Sequence, residues 1–316
     1  MSQADVPVFT ARDVEAAVSP EEAVEAVRDG FVAHFRGAWT MPPKLYVTNY
    51  PAGDFRAMPA LGGGHALLKW VSSFPGNPAG GLPTVSGVVL VSNAETGQLE
   101  AVLNAASVTA LRTGAAAVLA AETLGRPDAS SGAVIGAGIN GRAVARTFLA
   151  RGRRVAIWDV DPERASRIAD ELGADVAPSL EDALSADAVV TVTPGRTVVV
   201  RDGSLRPGQH VSLMGADGPG KAEAAAGELA RAHVFCDDWA QASHGGELAH
   251  AVEEGALTRG DVTELGAVLA GAAEGRASDE EITIFDSTGL AIQDLAIAIA
   301  ALKRIDELPA LARIEF

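Results

Sequence analysis

The sequence predicts an α/β protein in which a Rossmann dinucleotide-binding domain is combined with an α+β domain. Three observations predict this fold class. The chain has 316 residues, and a prior of roughly 150 residues per domain makes two domains the expected number. From residue 133 onward, short apolar strands alternate with helices, which is typical of a parallel sheet covered on both faces. A glycine-rich turn at 136–141 follows the first of these strands, where a dinucleotide site would begin.

The first third of the chain predicts an amphipathic helix followed by a β-rich section. Ser19, Pro20 and Glu22 combine a helix N-cap, a first-turn proline and a capping-box acid, so a helix is expected to begin here. Between residues 41 and 104, short apolar runs are cut by Gly, Pro and Asn, and the last two runs, on either side of a turn at 93–97, predict a hairpin. Residues 107–124 are rich in Ala and Leu and predict a second helix.

The remainder of the chain predicts the alternating domain. A break at Gly125-Arg126-Pro127 ends the second helix, so we place the domain limits at 1–125 and 126–289. The predicted strands are 133–135, 155–158, 189–192, 210–214, 233–236 and 282–285, and the predicted helices include one that ends at 150, one at 162–172 and one at 290–302. The last helix is apolar enough to pack against the first domain, so we expect 290–316 to complete that domain.

Composition narrows the classes of partner. Forty-one acidic against 25 basic side chains give a net charge of −16, which argues against nucleic acid and membrane surfaces as partners. The first residues form no secretory leader and no segment is apolar enough to span a membrane, so a cytoplasmic protein is expected. The single cysteine, Cys236, is expected to be buried, and no metal site is predicted.

The glycine-rich turn predicts where the dinucleotide binds. Gly136, Gly138 and Gly141 would allow a tight turn, close approach of the backbone to the pyrophosphate, and close packing of helix on strand. Ile139 and Asn140 then lie at the N-terminus of the helix, whose unpaired N–H groups favour phosphate.

An acid after the next strand predicts the choice of cofactor. Asp159 would accept hydrogen bonds from the adenosine ribose and repel a 2′-phosphate, so NAD is favoured over NADP. Asp161 is interpreted as the cap of the following helix, although it could share the ribose.

A second phosphate motif is incomplete. Residues 215–221 fit the pattern G-x-x-x-x-G-K, but Ala222 stands where a P-loop needs the hydroxyl that binds magnesium. The sequence therefore argues against an ATPase.

Several segments resemble the ornithine cyclodeaminase/μ-crystallin family. They occur in family order along nearly the whole chain: Pro43-Lys44, Phe55-Arg56-Ala57-Met58-Pro59, Leu68-Lys69-Trp70, Pro75-Gly76-Asn77-Pro78, Gly81-Leu82-Pro83-Thr84, Leu111-Arg112-Thr113-Gly114-Ala115, Gly215-Ala216-Asp217 and Pro219-Gly220-Lys221. The resemblance implies that the α+β domain binds substrate and forms a homodimer through its sheet. It also implies hydride transfer between nicotinamide and a carbon that bears nitrogen and a carboxylate.

The resemblance further implies roles for individual residues. Lys69 and Arg112 would hold the substrate α-carboxylate, with Lys69 close enough to the reacting carbon to assist, and Asp217 would be the acid/base. Lys44 and Arg56 would complete a positive pocket for a small carboxylate-bearing substrate. Further candidates for contact with the cofactor are Thr84, Arg112, Thr113, Thr193, Ser287 and Gly289.

Two positions set the expected substrate apart from ornithine. Many family cyclodeaminases have arginine where this chain has Lys44, so a planar two-pronged contact is replaced by a point charge. Ornithine-processing members have an acid where this chain has Arg56, and the arginine would repel the distal ammonium of ornithine. The leading hypothesis is therefore an NAD-dependent imine reductase or amino-acid dehydrogenase, with an iminosuccinate-type or alanine-type substrate. The alternatives are an ornithine cyclodeaminase and a non-catalytic, μ-crystallin-like ligand-binding protein.

Overall fold

The structure, a computed structural model, describes residues 5–218 and 220–315. The described residues do not include 1–4, Pro219 and Phe316. Some of the sequence predictions refer to these residues. The elements up to residue 124 are the strands β1 (Asp5–Phe9), β2 (Leu45–Asn49), β3 (Gly53–Gly62), β4 (His65–Ser73), β5 (Val85–Asn93) and β6 (Leu99–Asn104), and the helices α1 (Ala11–Ala17), α2 (Pro20–Phe35) and α3 (Ala105–Leu124).

The later elements continue in the order that the sequence predicts, with additional short ones. The strands are β7 (Ser131–Ile135), β8 (Arg154–Trp158), β9 (Asp175–Val176), β10 (Ala188–Thr191), β11 (His210–Leu213), β12 (His233–Cys236), β13 (Val262–Glu264), β14 (Thr283–Asp286) and β15 (Ala312–Glu315). The helices are α4 (Ile139–Ala150), α5 (Pro162–Leu172), α6 (Leu180–Leu184), α7 (Ala226–Ala230), α8 (Trp239–Gly245), α9 (Leu248–Glu253), α10 (Leu265–Leu269) and α11 (Ala291–Leu302).

Contacts divide the chain into two compact units. Unit 1 contains the residues up to Arg112 and those from Leu290 onward, and unit 2 runs from Thr113 to Gly289. The predicted domain limits of 1–125 and 126–289, with 290–316 returning to the first domain, stay a prediction.

Unit 1 is built on a seven-stranded sheet in the order β15-β1-β6-β5-β4-β3-β2. Only β1 and β6 pair in parallel, and the other neighbours pair antiparallel. Along β3 and β4 buried residues alternate with more exposed ones. Helix α11 packs against β3, β4 and α2. It meets α2 at Gly30, where a Cβ would lie 3.4 Å from the Cβ of Ala296.

Unit 2 is built on an eight-stranded sheet in the order β13-β12-β14-β11-β10-β7-β8-β9. All of its pairings are parallel. From β7, the chain adds strands first on one side and then, from β10, on the other. In such sheets ligands bind outside the carboxyl ends of the strands, at the point where this reversal occurs.

The predicted fold class is confirmed, and so are several elements in detail. Helix α2 begins at Pro20 with Ser19 as N-cap, whose side chain accepts a hydrogen bond from the Glu22 N–H. The hairpin of β5 and β6 and the helix over 162–172 are present as expected. The sequence analysis missed β1 and β15, which pair with each other from near the two ends of the chain. Among the described residues, no helix combines the length and the apolarity that crossing a bilayer requires.

Candidate active site

Five charged side chains come together in unit 1, and we refer to them as the charged group: Asp54, Arg56, Lys69, Arg112 and Asp294. The two-residue period of a strand places Asp54 and Arg56 of β3 on one face, and the pairing of β3 with β4 places Lys69 on the same face. Asp294 comes from α11, which packs against these strands. Arg112 comes from α3.

Lys69 is the most buried cation of the charged group, with a side chain that is 2% exposed. Its Nζ donates hydrogen bonds to Asp294 Oδ1 at 2.9 Å and to Thr109 Oγ1 at 2.5 Å. Burial lowers the pKa of Lys69 to about 8, and the charges of Arg112 and Arg56 add to this effect, whereas Asp294 opposes it. The amine is therefore charged at neutral pH and loses its proton within the range in which enzymes are assayed.

Arg112 reaches the same carboxylate from α3. Its Nε lies 3.5 Å from Asp294 Oδ1, and its Nη1 donates to Gln293 Oε1 at 3.5 Å. Three buried atoms here have no hydrogen-bond partner among the described residues: Arg112 Nε, Gln293 Nε2 and Asp294 Oδ2. Because buried polar atoms are rarely left unsatisfied, this cluster has capacity for a further polar group.

Arg56 has an anionic partner that the sequence analysis overlooked. Its Nε donates to Asp54 Oδ1 at 2.6 Å and its Nη2 to Asp54 Oδ2 at 3.4 Å, and its guanidinium lies 5.3 Å from the centre of the Tyr46 ring. Asp54 therefore supplies a negative charge for Arg56 from within the protein. Whether Arg56 touches the substrate stays a prediction.

Two other predicted residues of unit 1 lie next to the strands β2 and β5. Lys44 immediately precedes β2 and is partly exposed, and Thr84 is exposed immediately before β5. Their assigned roles stay predictions.

In unit 2, the glycine-rich turn has the geometry that a pyrophosphate needs. Gly136 has a φ of +113°, and a Cβ there would lie 2.8 Å from the Val192 carbonyl oxygen. A Cβ on Gly141 would lie 1.8 Å from the Gly136 carbonyl oxygen. Gly138 is the N-cap of α4, and a Cβ there would meet nothing within 4 Å. The backbone is thus tight within the turn and open at the helix N-terminus, which fits a bound dinucleotide.

Asp159 lies beside this turn and is 8% exposed. Its Oδ2 accepts a hydrogen bond from the Ala137 N–H at 2.7 Å, and its Oδ1 accepts one from the Asp161 N–H at 2.9 Å. Asp161 caps α5, with its Oδ1 accepting from the Arg164 N–H at 3.2 Å, as expected. Asp159 and the glycine-rich turn are therefore held together by a hydrogen bond.

A buried glutamate fixes the carboxyl ends of two further strands. Glu223 accepts hydrogen bonds from Thr191 Oγ1 and from the N–H groups of Thr193 and Gly215, at 2.6 to 2.7 Å. The loop after β11 carries Asp217, whose Oδ1 lies 2.5 Å from Lys221 Nζ. Glu223 thus positions Thr193, a predicted cofactor contact, and the start of the loop of the predicted acid/base.

Asp237 holds the loop after β14 in place by accepting hydrogen bonds. It accepts hydrogen bonds from Ser287 Oγ at 3.1 Å, from the Gly289 N–H at 2.8 Å and from Thr288 Oγ1 at 3.3 Å. Because all strands of this sheet are parallel, the loops that carry Gly136, Asp159 and Ser287 lie at one edge. Thr113, also a predicted contact, is buried on α3, and its Oγ1 has no hydrogen-bond partner among the described residues.

Burial shifts the pKa of the acids behind these loops. It raises the pKa of Glu223 and Asp286, and it raises the pKa of Glu247 to about 8, with the Glu223 carboxylate as a further cause. Glu247 accepts from the N–H groups of Glu223 and Ala224.

Other candidate chemistry finds no support in the geometry. The described residues contain no group of three or more metal-binding side chains. The segment 215–221 is followed by irregular backbone and only later by the short helix α7, so it lacks the helix N-terminus of a P-loop. Cys236 is buried as expected, and burial raises the pKa of its thiol.

Four acids that organise these contacts were not predicted from the sequence: Asp54, Glu223, Asp237 and Asp294. One of them left a readable signal, because Asp294 follows Gln293 inside an otherwise apolar helix. A polar pair at such a position is costly to bury unless it has partners.

Comparison with known proteins identifies the family of the chain. The model of the Ornithine cyclodeaminase/mu-crystallin family matches residues 5–307. The chain belongs to this family. Within it, the chain is 43% identical over 301 residues to an alanine dehydrogenase of Archaeoglobus fulgidus, covering 92% of each protein. It is 33% identical over 312 residues to an iminosuccinate reductase of Paracoccus denitrificans, covering 94% of this chain and 95% of that protein.

A solved structure of the same family extends the likeness to three dimensions. An archaeal alanine dehydrogenase dimer with bound NAD matches with a TM-score of 0.93 at 40% identity, covering 99% of this chain and 100% of that one. The family assignment and the fold class made from the sequence are confirmed.

The position of Asp159 generates a testable prediction about cofactor choice. In the parent, we expect NADH to be used at least about tenfold more efficiently than NADPH, because a carboxylate facing a 2′-phosphate costs about 1.4 kcal/mol or more. Asp159→Ser should narrow that ratio, measured as kcat/KM for each cofactor. Asp175→Ser, the same exchange at an exposed residue of β9, is the matched control and should keep the parent ratio. Equal use of both cofactors by the parent would show that Asp159 does not face the ribose.

Proposed function

We propose that this chain is an NAD-dependent oxidoreductase that transfers a hydride between nicotinamide and the α-carbon of a small α-imino or α-amino acid. The observation that carries the proposal is the charged group of unit 1, in which cations are concentrated and buried although the whole chain has a net charge of −16. Such a group requires a small anion. The two relatives, an alanine dehydrogenase and an iminosuccinate reductase, fit this class.

The substrate α-carboxylate is assigned to Lys69 and Arg112. Both cations share Asp294 Oδ1, so the one carboxylate of the protein leaves them with net positive charge. The orphan donor Arg112 Nε is suited to a carboxylate oxygen, and Gln293 Nε2 offers a second donor beside it. Lys69 in addition holds a proton that it can release near neutral pH.

Asp217 is assigned as the group that moves a proton at the substrate nitrogen. It is carried on a loop, its side chain is 35% exposed, and it pairs with Lys221, so it is accessible rather than enclosed in the core. Glu223 holds the start of the loop at Gly215.

NAD is assigned to the carboxyl edge of the unit 2 sheet. Gly136, Gly138, Gly141 and Asp159 would hold its pyrophosphate and ribose, and Thr193 and Ser287 lie on loops at the same edge. When bound, NAD supplies the hydride acceptor or donor for the reaction. The protein itself contributes orientation, charge and proton transfer.

A homodimer is part of the proposal. The outer face of β2 to β4 carries exposed apolar side chains, among them Leu45, Val47, Leu68 and Trp70. A contiguous apolar surface of this kind is typical of protein interfaces, and the archaeal alanine dehydrogenase is described as a dimer.

The experiment that tests the function is a panel of 2-oxo acids. Pyruvate, glyoxylate and oxaloacetate are offered with ammonium and NADH, and ornithine is offered with NAD while proline is measured. We expect NADH oxidation with at least one 2-oxo acid and negligible proline, because the distal ammonium of ornithine would meet a positively charged group. Efficient formation of proline would instead identify a cyclodeaminase, and binding of NADH without any turnover would favour a non-catalytic protein.

Two substitutions test the assigned residues. Lys69→Met and Asp217→Asn should each lower kcat/KM for the best 2-oxo acid by about a hundredfold or more, the usual scale for the loss of a proton-transfer group or a preorganised charge. Affinity for NADH, followed by fluorescence titration, should change little. Turnover of both variants within a few-fold of the parent would contradict the assignment.

The pKa of Lys69 predicts how carboxylate binding depends on pH. The amine is charged below pH 8 and neutral above it, so the inhibition constant of propionate, a competitive substrate analogue, should be flat near neutrality. It should then rise toward tenfold per pH unit, as a single required proton demands. In Lys69→Met this rise should be absent, and a rise that persists would assign the titration to another group.

A further inference from the structure

We propose that Asp54 determines substrate specificity. It cancels the charge of Arg56, so that the charged group accepts a substrate with one carboxylate and disfavours a substrate with two carboxylates. The inference rests on the proposed function for the location of the substrate α-carboxylate.

The contact between Asp54 and Arg56 is close and shielded from water. Two nitrogens of the guanidinium, Nε and Nη2, face the two carboxylate oxygens at 2.6 and 3.4 Å. The side chains are 10% and 9% exposed. A two-pronged pair of this kind is strong and geometrically specific.

The charge of Arg56 is felt where the substrate would bind. In the register of β3 and β4, Arg56 pairs with Val71 and Met58 pairs with Lys69, so Arg56 and Lys69 are diagonal neighbours on one face. Diagonal neighbours have side chains within reach of each other. Independently, the Arg56 charge contributes to the lowered pKa of Lys69.

The balance of charge then selects the substrate. Within the charged group, Arg56, Lys69 and Arg112 contribute three formal positive charges and Asp54 and Asp294 two formal negative ones, a difference of one positive charge. One substrate carboxylate neutralises it. A second carboxylate would place an uncompensated negative charge in a buried site, which is unfavourable.

Asp54 and Asp294 are not equivalent in this balance. If Asp294 were neutralised, Lys69 could respond by losing its proton, because its pKa is already lowered to about 8. Arginine cannot be deprotonated in proteins, so neutralising Asp54 would leave the charge of Arg56 in place. Asp54 is therefore the acid that limits the number of carboxylates.

The test compares two analogues that differ by one carboxylate, propionate and succinate, by titration calorimetry at pH 7 on the protein saturated with NADH. The parent should bind propionate more tightly than succinate. Asp54→Asn should shift the ratio of the two affinities toward succinate by about tenfold or more, as a new unit charge at this range predicts. The matched double variant Asp54→Asn/Arg56→Gln, which lacks both charges, should return to the parent ratio.

Two results would overturn the proposal: a parent that binds succinate at least as tightly as propionate, or an Asp54→Asn variant with an unchanged ratio. Should Asp54→Asn fail to fold, Arg56→Gln tests the same balance, because it leaves two positive and two negative charges. Propionate should then bind at least about tenfold more weakly in Arg56→Gln and recover in the double variant. Unchanged affinity in Arg56→Gln, or no recovery in the double variant, would likewise reject the role of Asp54.

The binding experiment needs no turnover, so it separates the two proposals. Loss of the proposed function would appear as an absence of NADH oxidation with every 2-oxo acid, whatever the affinity ratio. Loss of the present inference would appear in the affinity ratio alone, with turnover of 2-oxo acids intact.

Discussion

The burial of Lys69 is the constraint on which unit 1 depends. An ammonium that is 2% exposed must be compensated, and the compensation comes from Asp294, at a distance of 2.9 Å but 225 residues away in the sequence. Leaving either charge alone in the interior would be strongly destabilising. The ion pair between Lys69 and Asp294 therefore stabilises the packing of α11 on β3 and β4, in addition to the apolar face of the helix. The same pair places Arg112 Nε beside an acceptor and leaves Asp294 Oδ2 with spare capacity, so one interaction both completes the fold of the unit and shapes its binding group.

Unit 2 uses buried carboxylates in a different way. Glu223 and Asp237 accept hydrogen bonds from backbone N–H groups and hydroxyls of the loops that end the strands, and Asp159 accepts one from the glycine-rich turn. Loops at the end of a parallel sheet lack regular partners, and buried N–H groups need an acceptor. Each acid supplies that acceptor at a fixed place. Burial also raises the pKa of Glu223 and of Glu247, whose carboxylate accepts from the N–H groups of Glu223 and Ala224.

Local patterns in the sequence were sufficient for the fold class and for the dinucleotide turn, because both rest on residues that are neighbours in the chain. The capping box at Ser19, the helix after Asp161 and the spacing of Gly136 to Gly141 are examples. The strand β15 and the acids Asp54 and Asp294 were not predictable in this way. Their significance comes from pairing across a sheet or between elements far apart in sequence, and a carboxylate on a strand or in an apolar helix has no periodic signature of its own. The anionic partner of Arg56 is an example, since Asp54 was not predicted although it lies only two positions earlier.

The comparison of Arg56 with Lys69 explains why the charged group needs two acids of different character. Lysine can adapt to burial by losing its proton, so the charge of the Lys69–Asp294 pair changes with pH. Arginine does not adapt, and a buried guanidinium must keep a permanent anion. The Asp54–Arg56 pair therefore keeps a net charge of zero, and it lies beside the Lys69–Asp294 pair, whose charge changes with pH. Under the proposed function, a site built from one fixed pair and one adjustable pair would hold a single carboxylate through Lys69 and Arg112, while Lys69 carries a proton that it can release near neutral pH.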